Sequence, residues 1–89
     1  MSAQMKHISF EAVEGFERIT IFDKDQEHRD VANGLTHIYE SVLDFKILGA
    51  GQVGIEGGRL QCFGGSSRLG IECRKDKDTE LLQRNLNDV

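Results

Sequence analysis

Three histidines carry the side chains best suited to acid–base chemistry in this sequence: His7, His28 and His37. Imidazole is the one side chain whose ordinary pKa lies near neutral pH, so each histidine is a candidate base or metal ligand. Their spacing matches no zinc-ligand pattern, and the two cysteines add none. We therefore expect no metal and no cofactor, and interpret all three as surface histidines. His37 is the alternative catalytic residue, because it lies nearest to the mouth where a helix N-terminus is expected to meet strand ends.

A glycine motif from Gly49 to Gly54 matches the G-x-G-x-x-G fingerprint of dinucleotide-binding proteins. In those proteins the loop opens a helix whose N-terminus binds the pyrophosphate. Here Gly57 and Gly58 follow within four residues, which disfavours a helix, and only the 35 residues up to Val89 remain for the rest of that fold. The motif therefore indicates an irregular strand rather than a nucleotide site.

The elements that must position these side chains begin with a predicted β-hairpin over residues 6–22. Apolar and polar residues alternate on both sides of Glu14-Gly15, which is a turn signal. A turn centred there pairs Phe10 with Ile19 and puts nearly all the apolar residues on one face. Register matters because a slip of one residue moves every side chain to the other face.

An apolar stripe with three-to-four-residue spacing predicts one amphipathic helix from about Asp30 to Asp44. The stripe consists of Val31, Leu35, Ile38, Val42 and Leu43. Asn33-Gly34 is the weak point of this helix. Alternatively, the pair forms a turn and a shorter helix begins near Thr36.

The glycine-rich second half of the chain predicts two broken strand segments and then a second hairpin. The hairpin comprises residues 59–63 and 68–73, joined by a turn at Gly64–Ser67. Its register pairs Leu60 with Ile71 on one face of the sheet.

The two cysteines, Cys62 and Cys73, are too few for a disulfide framework or a cysteine-only zinc site. The predicted register puts them on the same face of the sheet, but not opposite each other. We therefore interpret both as buried free thiols that react slowly with thiol reagents.

Together these patterns predict a single α+β domain over residues 1–89, with two β-hairpins around a central amphipathic helix. A final short helix runs from Glu80 to Leu86, with Asp78 or Thr79 as its cap. We expect the order ββαβββα and a mixed or antiparallel sheet with the helices on one face.

Composition narrows the classes of partner and the location. The net charge of −4 disfavours nucleic acid and anionic membranes, because phosphate binding draws its energy from lysine and arginine. No apolar run approaches the roughly 20 residues needed to span a bilayer. Residues 1–7 lack the apolar block of a signal peptide, so we expect a cytoplasmic protein. A short chain buries a thin core, so a homodimer is an expected partner arrangement.

Two stretches resemble the Janus/Ocnus family, which includes the phosphohistidine phosphatases. The Gly-Gly-Arg-Leu run at 57–60, followed by Leu69 and Ile71, is similar to a family strand, polar turn and second strand. The Ile-Tyr-Glu run at 38–40 is similar to the family's Ile-Tyr-Asp in its helix. The resemblance covers roughly residues 16–75.

The resemblance also implies positions for the catalytic groups, and this sequence departs from the family at those positions. The family's histidine, three residues before the Ile-Tyr pair, falls on Leu35. Its phosphate-binding lysine falls on Glu17, with Arg18 adjacent, and its Gly-x-Ser loop falls on residues 73–75. A shifted alignment would use residues 64–70 for that loop, but would lose the match of the two strands.

These departures predict a non-enzymatic domain of the Janus/Ocnus type that binds a protein partner or a small anion such as phosphate. The candidate anion-binding residues are Arg18, Gly34, Leu35, Thr36 and Lys75. One alternative is a phosphohistidine phosphatase with a rearranged site that uses His37, and another is an unrelated dimeric interaction domain. Enzymatic activity therefore stays open at this point.

Overall fold

The structure is a computed structural model that describes residues 3–13 and 15–87. Its elements are β1 (Ala3–Val13), β2 (Phe16–Asp23), α1 (His28–Ile38), β3 (Lys46–Glu56), β4 (Arg59–Phe63), β5 (Gly65–Ser66), β6 (Ile71–Glu72) and α2 (Lys75–Asn87). The first four strands form an antiparallel sheet in the order β2-β1-β3-β4, and β5 pairs with β6 in a small second sheet. The predicted α+β class and element order are confirmed. In the described part of the chain, no helix is long and apolar enough to cross a membrane.

The two helices pack on opposite faces of the four-stranded sheet, whereas the sequence patterns led us to expect both on one face. Strand β1 is central, and both of its faces are buried. Ile8 and Phe10 point to the α1 side, while His7 and Ser9 point to the α2 side and are 0% exposed. The alternation of residue types in β1 therefore reflects one apolar face and one polar face, both of which are buried.

Each helix covers its own apolar cluster. The α1 cluster contains Ile8, Phe10, Ala12, Phe22, Ala32 and Ala50, with Val31, Leu35, Tyr39, Phe45 and Ile47 packed around it. The α2 cluster contains Val53, Cys62 and Leu82, with Ile19, Ile21, Leu60 and Cys73 around it. The α2 cluster is the smaller of the two because polar side chains occupy part of that face.

The first hairpin forms, but its register differs by one residue from the predicted register. Phe10 pairs with Arg18, and Ile19 pairs with Ser9. The ladder shifts between Glu11 and Val13, where an extra residue makes a β-bulge. The predicted register assumed that only one face of the hairpin is buried. Because helices cover both faces of the sheet, apolar residues on either face can be buried, and the assumption fails. Of the predicted turn pair, Glu14 lies outside the described residues.

The second predicted hairpin is wrong in its partner strand. Strand β4 has the expected bounds, but it pairs with β3, so that Leu60 lies opposite Ile55 rather than Ile71. The turn is Gly57-Gly58, with φ of +58° and +78°. Two successive positive φ angles are what a two-residue type I′ hairpin requires, and glycine adopts them without strain.

Helix α1 begins earlier than predicted and also ends earlier, and Asn33-Gly34 does not break it. Tyr39 ends the helix, and a turn closed by the Val42 N–H donating to Tyr39 O (2.9 Å) reverses the chain. The reversal stacks the Phe45 ring on the Tyr39 ring at 5.4 Å. Packing of these two aromatic rings therefore takes priority over extension of the apolar stripe.

Two glycines give a matched test of this packing. A Cβ on Gly51 in β3 would collide with the Phe63 carbonyl and reach within 3.1 Å of His7 and Cys73, whereas a Cβ on Gly34 in α1 meets nothing within 4 Å. We expect Gly51→Ala to lower the unfolding free energy by about 1–3 kcal/mol through overpacking. Gly34→Ala should raise it by roughly 0.5–1 kcal/mol, because alanine favours helix. Urea denaturation of both variants measures this, and equal effects would contradict the close approach at Gly51.

Candidate functional site

The residues predicted to bind an anion lie apart from one another. Arg18 is exposed on β2, and Lys75 begins α2, across the sheet from α1. Gly34, Leu35 and Thr36 lie well inside α1, where backbone N–H groups donate to the preceding turn rather than to a ligand. The structure does not bring these five residues together.

The three histidines have very different surroundings. The side chain of His37 is 82% exposed, and its Nδ1 lies 3.4 Å from Glu40 Oε2. His7 and His28 are 0% and 6% exposed, so their interpretation as surface residues is wrong. Both buried histidines belong to polar clusters, one on each face of the sheet.

The first cluster surrounds a polar pocket of about 180 Å³ at the N-terminal end of α1. Its lining residues come from β1, the start of α1, β3 and the loop after β4. They are Lys6, Glu27, His28, Gln52, Gly65, Ser66, Ser67 and Arg68. The side chain of the N-cap residue Glu27 makes no capping bond. The Asp30 N–H donates to Glu27 O at 3.1 Å, so within the described residues the N–H groups of His28 and Arg29 keep their capacity to donate.

His28 is held in this pocket by two contacts. Its ring lies edge-on to the Phe22 ring at 5.4 Å, and its Nε2 lies 2.9 Å from Gly51 O. A carbonyl only accepts, so Nε2 carries the proton. Burial lowers the pKa of His28 below its ordinary value of 6.5, although the Gly51 bond opposes the shift. The ring is therefore neutral at pH 7, and Nδ1 carries the free lone pair.

The cationic side chains of the pocket differ in how far they are neutralised. Arg68 Nε lies 3.2 Å from Glu27 Oε2, so this arginine is already paired with a carboxylate. Lys6 Nζ donates to Gln26 O at 2.7 Å and has no carboxylate partner among the ion pairs of the described residues. Among the described residues no carboxylate pairs with Lys6, so its ammonium group is available to an anionic ligand.

The loop after β4 presents a fixed serine to the pocket. Gln52 Nε2 donates to Gly65 O at 3.2 Å, and the Cys73 N–H donates to Gly64 O at 2.9 Å. Ser66 Oγ accepts from the Leu69 N–H at 3.3 Å, which leaves the hydroxyl proton of Ser66 free to donate. A buried hydroxyl held in this way is a preorganised hydrogen-bond donor.

The second polar cluster is a chain of charges on the α2 face. His7 Nε2 lies 3.0 Å from Asp78 Oδ2, and Arg74 Nη2 lies 2.9 Å from Asp78 Oδ1. Arg74 also reaches Glu17 Oε1 at 2.8 Å. His7 and Asp78 are both 0% exposed, whereas the Glu17 side chain is 37% exposed.

The pKa shifts in this cluster follow from the pairing. Burial alone would lower the pKa of His7, but the bond to Asp78 and the neighbouring Cys73 outweigh it and raise the pKa to about 9. Burial alone would raise the pKa of Asp78, but hydrogen bonds from His7 and Arg74 hold it well below its ordinary value. The pair is therefore ionised at neutral pH, as imidazolium and carboxylate.

Cys62 and Cys73 are both free thiols, as predicted. Cys62 is buried and Cys73 is partly buried, and a hydrogen bond between them lowers the pKa of Cys62 and raises that of Cys73. The two thiols therefore lie close together, whereas the predicted hairpin did not place them opposite each other because it used the wrong strand partner.

Sequence reasoning missed His28 because it placed this residue in a polar loop before the helix. A usable signal was present, because acidic residues cluster at helix N-termini and both Glu27 and Asp30 lie beside His28. His7 carried no comparable local signal, since its partner Asp78 lies 71 residues away in the sequence.

Comparisons of the chain with protein-family models, with curated proteins and with solved structures return no match. The chemistry of the pocket must therefore follow from its own side chains. An ammonium group, a helix N-terminus and a serine hydroxyl are all donors to an oxyanion, and His28 adds a neutral base beside them. This combination suits binding of a small anion such as phosphate, and proton transfer next to it.

Proposed function

We propose that this protein binds a phosphoryl group in the pocket of Lys6, His28 and Ser66 and hydrolyses phosphohistidine, as a small domain of the Janus/Ocnus type. The observation that carries the proposal is the state of His28. It is a buried, neutral histidine whose Nε2–H is fixed by Gly51, and it lies at the end of a helix dipole that favours anions.

The pocket contains the same kinds of group that the family resemblance requires, at other positions. The family pattern, placed from sequence, puts its histidine on Leu35, and His28 lies seven residues or about two helical turns before it. Lys6 on β1 supplies the cation that the first alignment places at Glu17. The Gly-Gly-Ser run at 64–66 directly follows β4, as the shifted alignment requires. These correspondences support a phosphatase whose site differs from the first alignment.

Each of the three side chains of the pocket has its own role in the proposed hydrolysis. Lys6 and the Ser66 hydroxyl hold the phosphoryl oxygens and stabilise the charge that develops on them. His28 Nδ1 takes a proton from water as the water oxygen attacks phosphorus and the phosphorus–nitrogen bond breaks. His28 then passes that proton to the departing imidazole nitrogen of the substrate. The products are free histidine and inorganic phosphate, and Nδ1 is again unprotonated.

A second candidate keeps the anion site without the chemistry. Glu27 pairs with Arg68 and so reduces the positive charge of the pocket. A lower positive charge favours weak and reversible binding of phosphate. In this case the domain acts by binding an anion or a protein partner, which includes a second copy of itself. The exposed apolar side chains of Val13 and Phe16, 59% and 68% exposed, are candidates for such a partner contact.

Turnover of a phosphohistidine peptide, followed as release of inorganic phosphate, tests the proposal. We expect release by the wild type, and a decrease of about tenfold to a hundredfold in kcat/KM for Lys6→Ala, which is about 1.4–2.7 kcal/mol of transition-state stabilisation. Lys24→Ala, which removes an exposed lysine outside the pocket, should have no effect.

The outcomes separate the two candidates. No release by the wild type, with phosphate shifting the NMR signals of the His28 and Ser66 amides, would favour the binding domain. No release together with no shift in these amides would overturn both.

A further inference from the structure

The second polar cluster holds three potential metal ligands in a site separate from the pocket. An imidazole nitrogen of His7, Sγ of Cys73 and a carboxylate oxygen of Asp78 all lie within 4.8 Å of one another. They come from β1, the segment before α2 and the first turn of α2, so they meet only in the folded chain. They lie on the α2 face of the sheet, while His28 packs against Phe22 in the cluster of the α1 face.

The polar atoms of this cluster are not all hydrogen-bonded, because Nε2 of His7 faces Asp78 while the opposite ring nitrogen is unpartnered. His7 Nδ1 is fully buried and has no hydrogen-bond partner, and neither does Ser9 Oγ beside it. Buried polar groups without partners are rare in folded proteins, and each one needs a physical explanation. His7 is 0% exposed, so bulk solvent does not reach this nitrogen.

The donor set and its surroundings suit one type of ion. One nitrogen, one thiolate and one carboxylate are the ligand types that zinc takes in proteins, and softer or harder ions prefer more uniform sets. The Arg74 guanidinium donates to Asp78 Oδ1 and the Arg74 backbone N–H donates to Oδ2, so the carboxylate is fixed with Oδ2 beside His7. Cys73 is the partly exposed member, so it provides the route of entry.

The backbone also leaves room between the ligands. A Cβ on Gly51 would come within 3.1 Å of both His7 Cε1 and Cys73 Cβ, so only glycine at this position allows the two side chains to face each other. Binding of the ion replaces the proton of the His7 imidazolium and the proton of the Cys73 thiol, and both protons pass to solvent. The charges then balance, because the Cys73 thiolate and the Asp78 carboxylate compensate the divalent ion, and Arg74 compensates Glu17.

We propose that His7, Cys73 and Asp78 bind Zn²⁺ and thereby fasten α2 to the central strand β1. The site is structural, because His7 and Asp78 are buried, Cys73 is partly buried, and the three ligands lie on the other face of the sheet from the pocket of His28. It is independent of the proposed hydrolysis, so the two proposals can fail separately.

Titration with Co²⁺ tests this site, because cobalt replaces zinc and shows a charge-transfer absorption only when a thiolate is a ligand. The reduced, chelator-treated full chain should develop this absorption with one Co²⁺ per chain, and added Zn²⁺ should abolish it. Cys73→Ser should lose the absorption and bind Zn²⁺ more than about 100-fold more weakly, since even outer partners of a metal site are worth 10–100-fold.

Cys62→Ala is the matched control, because Cys62 is a neighbouring thiol outside the group of three ligands. We expect it to keep the absorption, because the thiolate ligand Cys73 is still present. Circular dichroism checks that each variant is folded, and Asp78→Asn provides a second ligand variant that keeps the side-chain shape. Absence of the absorption in the wild type, or its persistence in folded Cys73→Ser, would overturn the zinc site.

Discussion

Asp78→Asn is expected to lower the unfolding free energy of the metal-free protein by about 3–5 kcal/mol, the usual cost of removing one partner from a buried ion pair. Asp78 is 0% exposed and accepts hydrogen bonds from His7, from the Arg74 backbone and from the Arg74 guanidinium. Asparagine has nearly the same shape, but it leaves the imidazolium of His7 buried without a counter-charge. Since small domains are stable by only about 5–15 kcal/mol, this is a large fraction of the total.

Glu17→Gln is the matched control, because Glu17 binds the same arginine from a partly exposed position. An exposed pair contributes about 0–1 kcal/mol, so this variant should stay close to the wild type. Urea denaturation in the presence of a chelator measures both variants. A loss below about 1 kcal/mol for Asp78→Asn would show that the buried chain of charges does not hold α2 on the sheet.

His28→Ala is expected to reduce the turnover number for phosphohistidine hydrolysis by roughly 10²–10⁴, the usual contribution of a general base. His28 is the buried neutral histidine of the pocket, and alanine removes Nδ1 without touching Lys6 or Ser66. His37→Ala removes an imidazole that is 82% exposed and should leave the rate unchanged. A wild-type rate in His28→Ala would exclude this residue as the base.

The pH dependence gives a second readout of His28. Its pKa in the folded protein lies below 6.5, so the base form persists through neutral pH and is lost only when pH falls through that lower value. The rate should therefore be constant around pH 7 and decline under more acidic conditions. The same shift stabilises the fold fully above about pH 6.5, and this stabilisation is lost as pH falls through the folded pKa. A rate that rises on acidification would contradict a neutral base.

Local patterns along the chain were sufficient to predict the α+β class, the element order and the existence of most strands and helices. Alternation in β1, the apolar stripe of α1 and the glycine turns all depend on residues within a few positions of one another. The bounds of β4 were correct for the same reason. The pairing partner of β4 was predicted wrongly, because the local pattern of this strand is compatible both with β3 and with residues 68–73.

Both polar sites depended on contacts that no local pattern encodes. His28 acts with Gly51, 23 residues away, and His7 acts with Asp78, 71 residues away. A polar residue in an alternating strand normally faces water, so His7 and Ser9 matched the pattern of an exposed face. Only the packing of α2 against the second face of the sheet buried them, because the carboxylate of Asp78 and the guanidinium of Arg74 supply hydrogen bonds and charges that water would otherwise provide.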